Sequence, residues 1–387
     1  MRSLLTTASL VLGDASLQQP WLLMEDGIVT ALGARSAGDL PEHDILYDFP
    51  DAMLAPALLD IHIHGAAGHD VMEATPEALD AIGRFLAKHG TGAYLATTVT
   101  APLDRTLRAL DGLATLIEQG HNILEGAQPC GVHLEGPFLS HEKRGVHPSE
   151  HIQPPSVELF NRFWQAARGT VKLITIAPEV PGALDLIRHA SSLGVRVSLG
   201  HSNATAAETR AGIEAGGRSA THTFNAMRGL EHREPGMVGA IFDADDLFAD
   251  LICDGHHVDP SVVRLFAKAK NAARGILITD GLSATGMPDG HYDLGGMDVE
   301  VIDGRCTHNG VIAGSVLTLD RAVRNFAAFT GAELPTALRL ATRNPAELLG
   351  IATTHGSLAP GSRADVAVIS AAGDVLATFL AGKPQSV

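Results

Sequence analysis

LAPALLDIHIH, residues 54–64, is the stretch on which the fold turns: an apolar run closed by two histidines one residue apart. The pattern recurs. GAYLATTVT (92–100), GVHLEGP (131–137, after Cys130), VKLITIAPE (171–179), VRVSLGHSN (195–203), SATHTFNAM (219–227), LFADLICDG (247–255) and ILITDG (276–281) bring the count to eight. Short apolar runs of this kind predict buried strands. Between them lie stretches of helical spacing. In PEALDAIGRFLAKHG (76–90), Pro76 suits a first helical turn, and Leu79, Ile82, Phe85 and Leu86 fall on one face. PLDRTLRALDGLATLIEQG (102–120), PGALDLIRHASSLG (181–194) and PSVVRLFAKAK (260–270) repeat the arrangement. Eight strand–helix units over residues 53–350 predict an α/β fold, a (β/α)8 TIM-type barrel rather than an open doubly wound sheet. No G-x-G-x-x-G or Walker sequence argues for the alternative.

The two ends read differently. SLLTTASLVL, PWLLMEDGIVTALG with a turn at Asp26-Gly27, and HDILYDFP alternate and turn as short strands, the first ending at the turn signal Gly13-Asp14. HGSLAPGSRADVAVIS and GDVLATFLAGKP do the same at the other end. The expectation is a small β-sandwich domain built from both termini, residues 1–52 plus 351–387, around a barrel of residues 53–350. With 387 residues, 45% of them hydrophobic and 19% charged, the chain is large enough for both and too apolar to be disordered. A balance of 28 Lys+Arg against 44 Asp+Glu gives a net charge of −16, which repels nucleic acid and anionic membranes. Neither is expected as a partner, and an anionic ligand must be held by a few placed cations. Three scattered cysteines suit a reducing cytoplasm, and no run approaches the length of a membrane span.

In such a barrel the chemistry belongs at the C-terminal ends of the strands. The runs end in His62-Ile63-His64, His133-Leu134-Glu135, Gly200-His201, Thr221-His222, Asp254 followed by His256-His257, and Thr279-Asp280. A lone His-X-His means little, because 19 histidines in this length give about one such pair by chance. On a strand, however, His62 and His64 point the same way, and in a barrel that way is inward. Alone, Glu135 reads as a turn carboxylate before Pro137, and Asp280 as an Asp-Gly turn residue. Together with His201 and His222 at equivalent strand ends, these imidazoles and carboxylates fit zinc or a similar divalent first-row metal such as Fe, Mn or Co. His256 and His257 are adjacent, so at most one faces the cavity.

HLEGPF (133–138), KRGVHP (143–148), GHSNA (200–204), THTFNAM (221–227), HREPG (232–236), CDGHHV (253–258), TDG (279–281) and GSVLTL (314–319) carry a resemblance over nearly the whole chain. The sequence resembles the N-acetylglucosamine-6-phosphate deacetylase family of the amidohydrolase superfamily. The resemblance implies metal-dependent hydrolysis of a phosphorylated amino sugar to acetate and glucosamine 6-phosphate. It implies that Glu135, His201 and His222 hold the principal metal and that Asp280 is the general acid/base. His62 and His64, sharing Glu135 and Asp280, would hold a second metal, so one or two ions per subunit are expected. Substrate contacts are implied at His147, Asn225, Ala226, Arg233, His257 and Leu317, with Arg233 reaching the neighbouring subunit of a homodimer. Lys143 is a less certain contact, and the role of Arg228 is left open. Other barrels of the superfamily carry a carboxylated lysine on the fourth strand; here that strand has only Lys172, near its beginning. Two rivals remain: an amidohydrolase acting on an N-acyl amino acid or cyclic amide, and an inactive barrel kept as a binding protein. HREPG and FNAM argue against the first, and the retention of Asp280 and the ligands argues against the second.

Overall fold

The computed structural model describes residues 1–12, 15–120 and 124–385; the turn expected at Gly13-Asp14 lies outside them. The eight apolar runs form eight parallel strands: β1 (Leu58–Ile63), β2 (Thr91–Thr98), β3 (Gln128–Glu135), β4 (Val171–Ile176), β5 (Arg196–Leu199), β6 (Gly217–Ala220), β7 (Ala249–Ile252) and β8 (Gly275–Ile278). Strands β1 to β6 pair in sequence order, and β7 pairs with β8. The two sheets meet at both seams. Phe248 N–H donates to Arg218 O at 3.0 Å and Thr223 N–H to Asp250 O at 2.8 Å, joining β6 to β7. Asp280 N–H donates to His62 O at 2.9 Å and His64 N–H to Gly281 O at 2.7 Å, joining β8 to β1. This curled parallel sheet fits the TIM-type barrel.

Every residue of β1 and β2 is buried, as strands covered on both faces must be. The outer layer is helical, and its starts follow local chemistry. Thr75 Oγ1 accepts from Ala78 N–H ahead of Pro76, and Thr205 with Glu208 forms a reciprocal capping box before the helix Ala206–Ala215.

The chain ends contribute to one sheet of eight strands, including Arg2–Leu12, Pro20–Glu25, Ile28–Ala34, Ile45–Pro56, Val366–Ile369 and Val375–Leu380. Asp26 (φ 50°) and Gly27 (φ 81°) make the predicted two-residue turn. The stretch LAPALLDIHIH proves to be two strands rather than one. Leu54 and Ala55 pair with Val368 and Ala367 in the terminal sheet, Ala57 is the joint, and the barrel strand starts at Leu58. Apolarity alone could not mark that break, because both halves are buried.

One element was not anticipated. After β8, residues Gly290–Leu294, Met297–Ile302, Arg305–His308 and Val311–Ile312 form a four-stranded antiparallel meander. Its three turns, Gly295-Gly296, Asp303-Gly304 and Asn309-Gly310, each have both φ angles positive, as tight hairpins require. The base of the meander is tied to the loop after β1 by Gly295 N–H donating to Asp70 Oδ2 at 2.7 Å. Among the described residues no helix is long and apolar enough to cross a membrane.

Candidate metal centre and active site

The predicted ligands converge at the C-terminal mouth of the barrel. Glu135 Oε1 lies 3.1 Å from both His201 Nε2 and His222 Nε2, which are 3.0 Å from each other. On the other side, His62 Nε2 and His64 Nε2 are 3.3 Å apart, and Asp280 Oδ1 stands 3.1 Å from His64 Nε2 and 3.5 Å from His62 Nε2. Glu135 faces both groups, with Oε1 3.4 Å from His62 and Oε2 3.3 Å from His64. Donors bonded at about 2.0–2.2 Å to one tetrahedral zinc ion stand roughly 3.3–3.6 Å apart, so these spacings are close to those of a ligand set.

The second nitrogen of three of these four rings supports the same conclusion, while Nδ1 of His62 is buried without a hydrogen-bond partner among the described residues. His64 Nδ1 sits 2.9 Å from Thr97 O, His201 Nδ1 2.9 Å from Lys143 O, and His222 Nδ1 3.2 Å from Asn225 O. A carbonyl can only accept, so each of these Nδ1 atoms carries a proton, and each Nε2 is the atom left to face the cluster, donating to a carboxylate when protonated and offering its lone pair to a cation once that proton is displaced. His147 is arranged the opposite way. It also lies within reach of Glu135 and His201, but its Nδ1 receives the Thr100 N–H at 3.3 Å and faces the Thr100 hydroxyl at 2.9 Å. The neutral ring therefore carries its proton on Nε2 and acts as a donor rather than a ligand.

Burial and charge oppose each other here. Burial pushes the Glu135 carboxyl up, but the charge of His62 and hydrogen bonds from His147, His201 and His222 hold it well below the usual range. Asp280 likewise ends at about 2, burial being more than offset by His62 and His64. Burial pushes His64 down, but the hydrogen bonds it donates to Asp280 and Glu135 outweigh that and raise it well above an ordinary imidazole. Burial lowers His147 to about 4, so it is neutral near pH 7. Buried carboxylates whose charge is balanced by imidazole protons are the electrostatic environment that a divalent cation would complete by displacing those protons.

The backbone is bent to place these groups. His201 (φ 47°), His222 (φ 32°) and Asp280 (φ 51°) all occupy the left-handed region, which costs of order 1–3 kcal/mol each for such residues and concentrates at functional sites. Buried carboxylates beneath the cluster brace them. Asp60 accepts from Thr279 Oγ1 at 2.6 Å and from His62 N–H at 3.2 Å; Asp250 accepts from His222 N–H. Burial raises both carboxyls to about 6. Sequence reasoning passed over Asp60, although it shares the inward face of Asp60-Ile61-His62-Ile63-His64 by simple alternation. Lys172 points to the exposed side of β4, whose inner face offers Thr175, bonded at 2.9 Å to His133 Nε2.

The cluster floors a cavity of about 410 Å³, also lined by Lys143, His147, Asn225, Ala226 and His257. His257 is held by Asp254, which accepts its Nδ1–H at 2.7 Å, while His256 is exposed. The meander adds Leu294, Met297, Val311 and Ile312 as an apolar wall that the sequence reading lacked. Two predicted contacts are not brought to this cavity. Arg233 is exposed on the 229–235 loop, its Nε 3.1 Å from His232 Nε2. Leu317 is buried in the barrel core, its N–H bonded to Ser315 Oγ, because the turn after the meander leads straight into the helix Leu319–Thr330. Arg228 is half-buried and donates to Asn203 O at 3.4 Å.

Residues 53–384 match the amidohydrolase family. The chain is 38% identical to an N-acetylgalactosamine-6-phosphate deacetylase of Escherichia coli O157:H7 over 387 residues, the whole of both chains. It is 36% identical to an N-acetylglucosamine-6-phosphate deacetylase of Vibrio furnissii, over 93% of this chain and 88% of that protein. Among solved structures, a mutant N-acetyl-D-glucosamine-6-phosphate deacetylase of Mycobacterium smegmatis in complex with N-acetyl-D-glucosamine 6-phosphate superposes with a TM-score of 0.92 at 34% identity, covering all of both chains.

Proposed function

The chain belongs to the amidohydrolase family, and from that premise we propose that it deacetylates N-acetylglucosamine 6-phosphate, giving glucosamine 6-phosphate and acetate in amino-sugar metabolism. It is an amide hydrolase. The observation that carries metal-dependent hydrolysis is the meeting of Glu135, His201 and His222 ligand atoms within 3.1 Å, with each Nδ1 proton held by a backbone carbonyl; the hexosamine 6-phosphate substrate is supported by the names of the relatives.

Glu135, His201 and His222 would hold the principal divalent ion, zinc by the chemistry of the donors, and His62, His64 and Asp280 a second. A cation so held supplies Lewis acidity to the acetamide carbonyl and to the attacking water. Asp280, ionised throughout the neutral range, takes a proton from that water as its oxygen bonds to the carbonyl carbon. It then returns the proton to the sugar nitrogen as the carbon–nitrogen bond breaks. His147, with its Nε2–H, donates a hydrogen bond to the substrate carbonyl or sugar. Asn225 and Ala226 meet the sugar phosphate, with His257 and Lys143 as local positive or proton-donating groups in an otherwise acidic chain. Arg233, exposed on its own subunit, would complete the phosphate site of a partner in a homodimer. The same reading keeps the terminal sheet as a separate small β domain, folded on itself as a sandwich around the apolar cluster of Leu5, Leu22, Leu54 and Phe379. Three free cysteines support a cytoplasmic setting.

A second reading has its own support, since the relative matched from end to end acts on the galactosamine epimer by its name. Acetate release from both N-acetylhexosamine 6-phosphates by metal-supplemented protein, with metal analysis, tests both. No release from either would refute the proposal, and a preference for the galacto sugar would decide between them.

A further inference from the structure

The cavity is two-sided. Around the ring of strands, His201, Asn225, Ala226 and His257 come from the ends of β5, β6 and β7, and with Lys143 they give one polar flank. The opposite flank, over β2 and the mouth of β8, is apolar: Val99, Val146, Leu294, Met297, Val311 and Ile312. The meander is pressed onto that flank so closely that a Cβ on Gly295 would stand 2.0 Å from Val99 Cγ2. The cluster of Glu135, His64 and Asp280 lies between the flanks. Behind the apolar flank is a second groove of about 660 Å³, between the meander and the loops after β2 and β3. Gly145, Val146, His147, Met297 and Val311 line both spaces and so form the partition, with Val146, Met297 and Val311 as its apolar part.

From this arrangement we infer that the apolar flank is the acyl pocket and that Met297, with Val311, sets the length of N-acyl chain the enzyme removes. The inference rests on the amide hydrolysis proposed above. With the amide carbon at the cluster, the sugar and its phosphate need the hydrogen-bonding flank, which leaves the acyl group facing Met297. A methyl group fits in front of the partition, and a longer chain meets the Met297 side chain, which is 8% exposed and packed beside Leu294. Shortening that side chain joins the acyl pocket to the groove and gives longer acyl chains somewhere to go.

The test uses metal-replete full-length protein and the N-acetyl, N-propionyl and N-butyryl derivatives of the hexosamine 6-phosphate the wild type prefers. All three release the same amine, so one amine assay reads every reaction. Wild-type kcat/KM should fall about tenfold or more on lengthening the chain, the scale on which a packed apolar pocket senses a methylene. Met297→Ala should shrink the acetyl-to-butyryl ratio by about tenfold, and Met297→Leu should keep it near the wild-type value. Val311→Ala, at a position 50% exposed and therefore of little risk to folding, should shrink the ratio in the same direction. The inference is overturned if folded Met297→Ala and Val311→Ala both keep the wild-type ratio, if the wild type does not discriminate by length, or if Met297→Ala changes only the choice between sugar epimers. Failure of the underlying reading looks different: no amine is released from the acetyl substrate by the wild type, and the inference falls with it.

Discussion

Replacing Asp280 by Asn isolates the proton-transfer role more cleanly than any other single change at this site. Asp280 holds φ at 51°, a conformation that Asn tolerates better than any residue except Gly. Its backbone is fixed on both sides, Asp280 N–H to His62 O at 2.9 Å and Ser315 N–H to Asp280 O at 2.8 Å. The variant should therefore fold, with the barrel seam between β1 and β8 intact. Asn keeps one oxygen to face His62 and His64, but it cannot accept a proton from water and return it to the amine. Loss of a positioned acid/base costs on the order of 10²–10⁴ in rate, which is about 2.7–5.5 kcal/mol of barrier. Substrate contacts on the polar flank lie elsewhere, so KM should move much less than kcat. The assay combines steady-state kinetics, metal analysis of the same preparation and circular dichroism. Near-normal turnover by a folded, metal-replete Asp280→Asn protein would refute the assignment and move the search for the base to His147 or His257.

Three other predictions address separate parts of the site and scaffold. Arg233→Lys should raise KM for the phosphorylated sugar well beyond its effect on unphosphorylated N-acetylglucosamine, because Lys cannot match a two-pronged guanidinium grip on phosphate; equal effects on both would remove Arg233 from the phosphate site. Replacing His62 and His64 together by Ala should lower metal content toward one ion per chain while some hydrolysis survives, and a wild type that never exceeds one equivalent in metal-supplemented buffer would contradict the second site. Lys270 donates from Nζ to Ile241 O at 2.9 Å and to Ala244 O at the end of the helix Gly236–Asp243, and burial pushes its amine down to about 8. Between about pH 8 and 10.5 the unfolded chain then binds more protons than the folded one, so stability should rise with pH across that window; denaturant titrations showing the same slope in Lys270→Met would exclude Lys270 as the source.

The parts of this protein that were legible in the sequence share one physical property: they are written in side chains with a period. Burial on both faces gave the eight strands as apolar runs, and alternation placed His62 and His64 together inside the barrel. The same alternation reaches Asp60, where only the search for ligands, rather than for what holds them, stopped the reading short. The meander was missed although its three turns are spelled Gly295-Gly296, Asp303-Gly304 and Asn309-Gly310, because a scan for strand followed by helix passes over strands that pair only with each other. Arg233 and Leu317 show a different limit. A loop residue's distance from a cavity depends on how the loop folds back, and no spacing along the chain encodes it.

The deepest limit concerns the histidines themselves. Five imidazoles surround Glu135; four end apolar runs and read as ligands, and His147 is set apart from them by resemblance alone, with no physical reason in the letters. What separates His64, His201 and His222 from His147 is the partner of Nδ1: the carbonyls of Thr97, Lys143 and Asn225 in the first three, the N–H of Thr100 in the last. A carbonyl fixes the proton on Nδ1 and frees Nε2 to bind a cation; an N–H does the reverse and makes Nε2 a donor. Backbone carbonyls and amides are chemically alike in nearly every residue, so substituting Thr97, Lys143 or Asn225 need not disturb the ligand role, whereas shifting the strand end by one residue exchanges acceptor for donor. The division of labour around Glu135 is therefore a property of backbone placement, with the strained φ angles at His201, His222 and Asp280 as its cost.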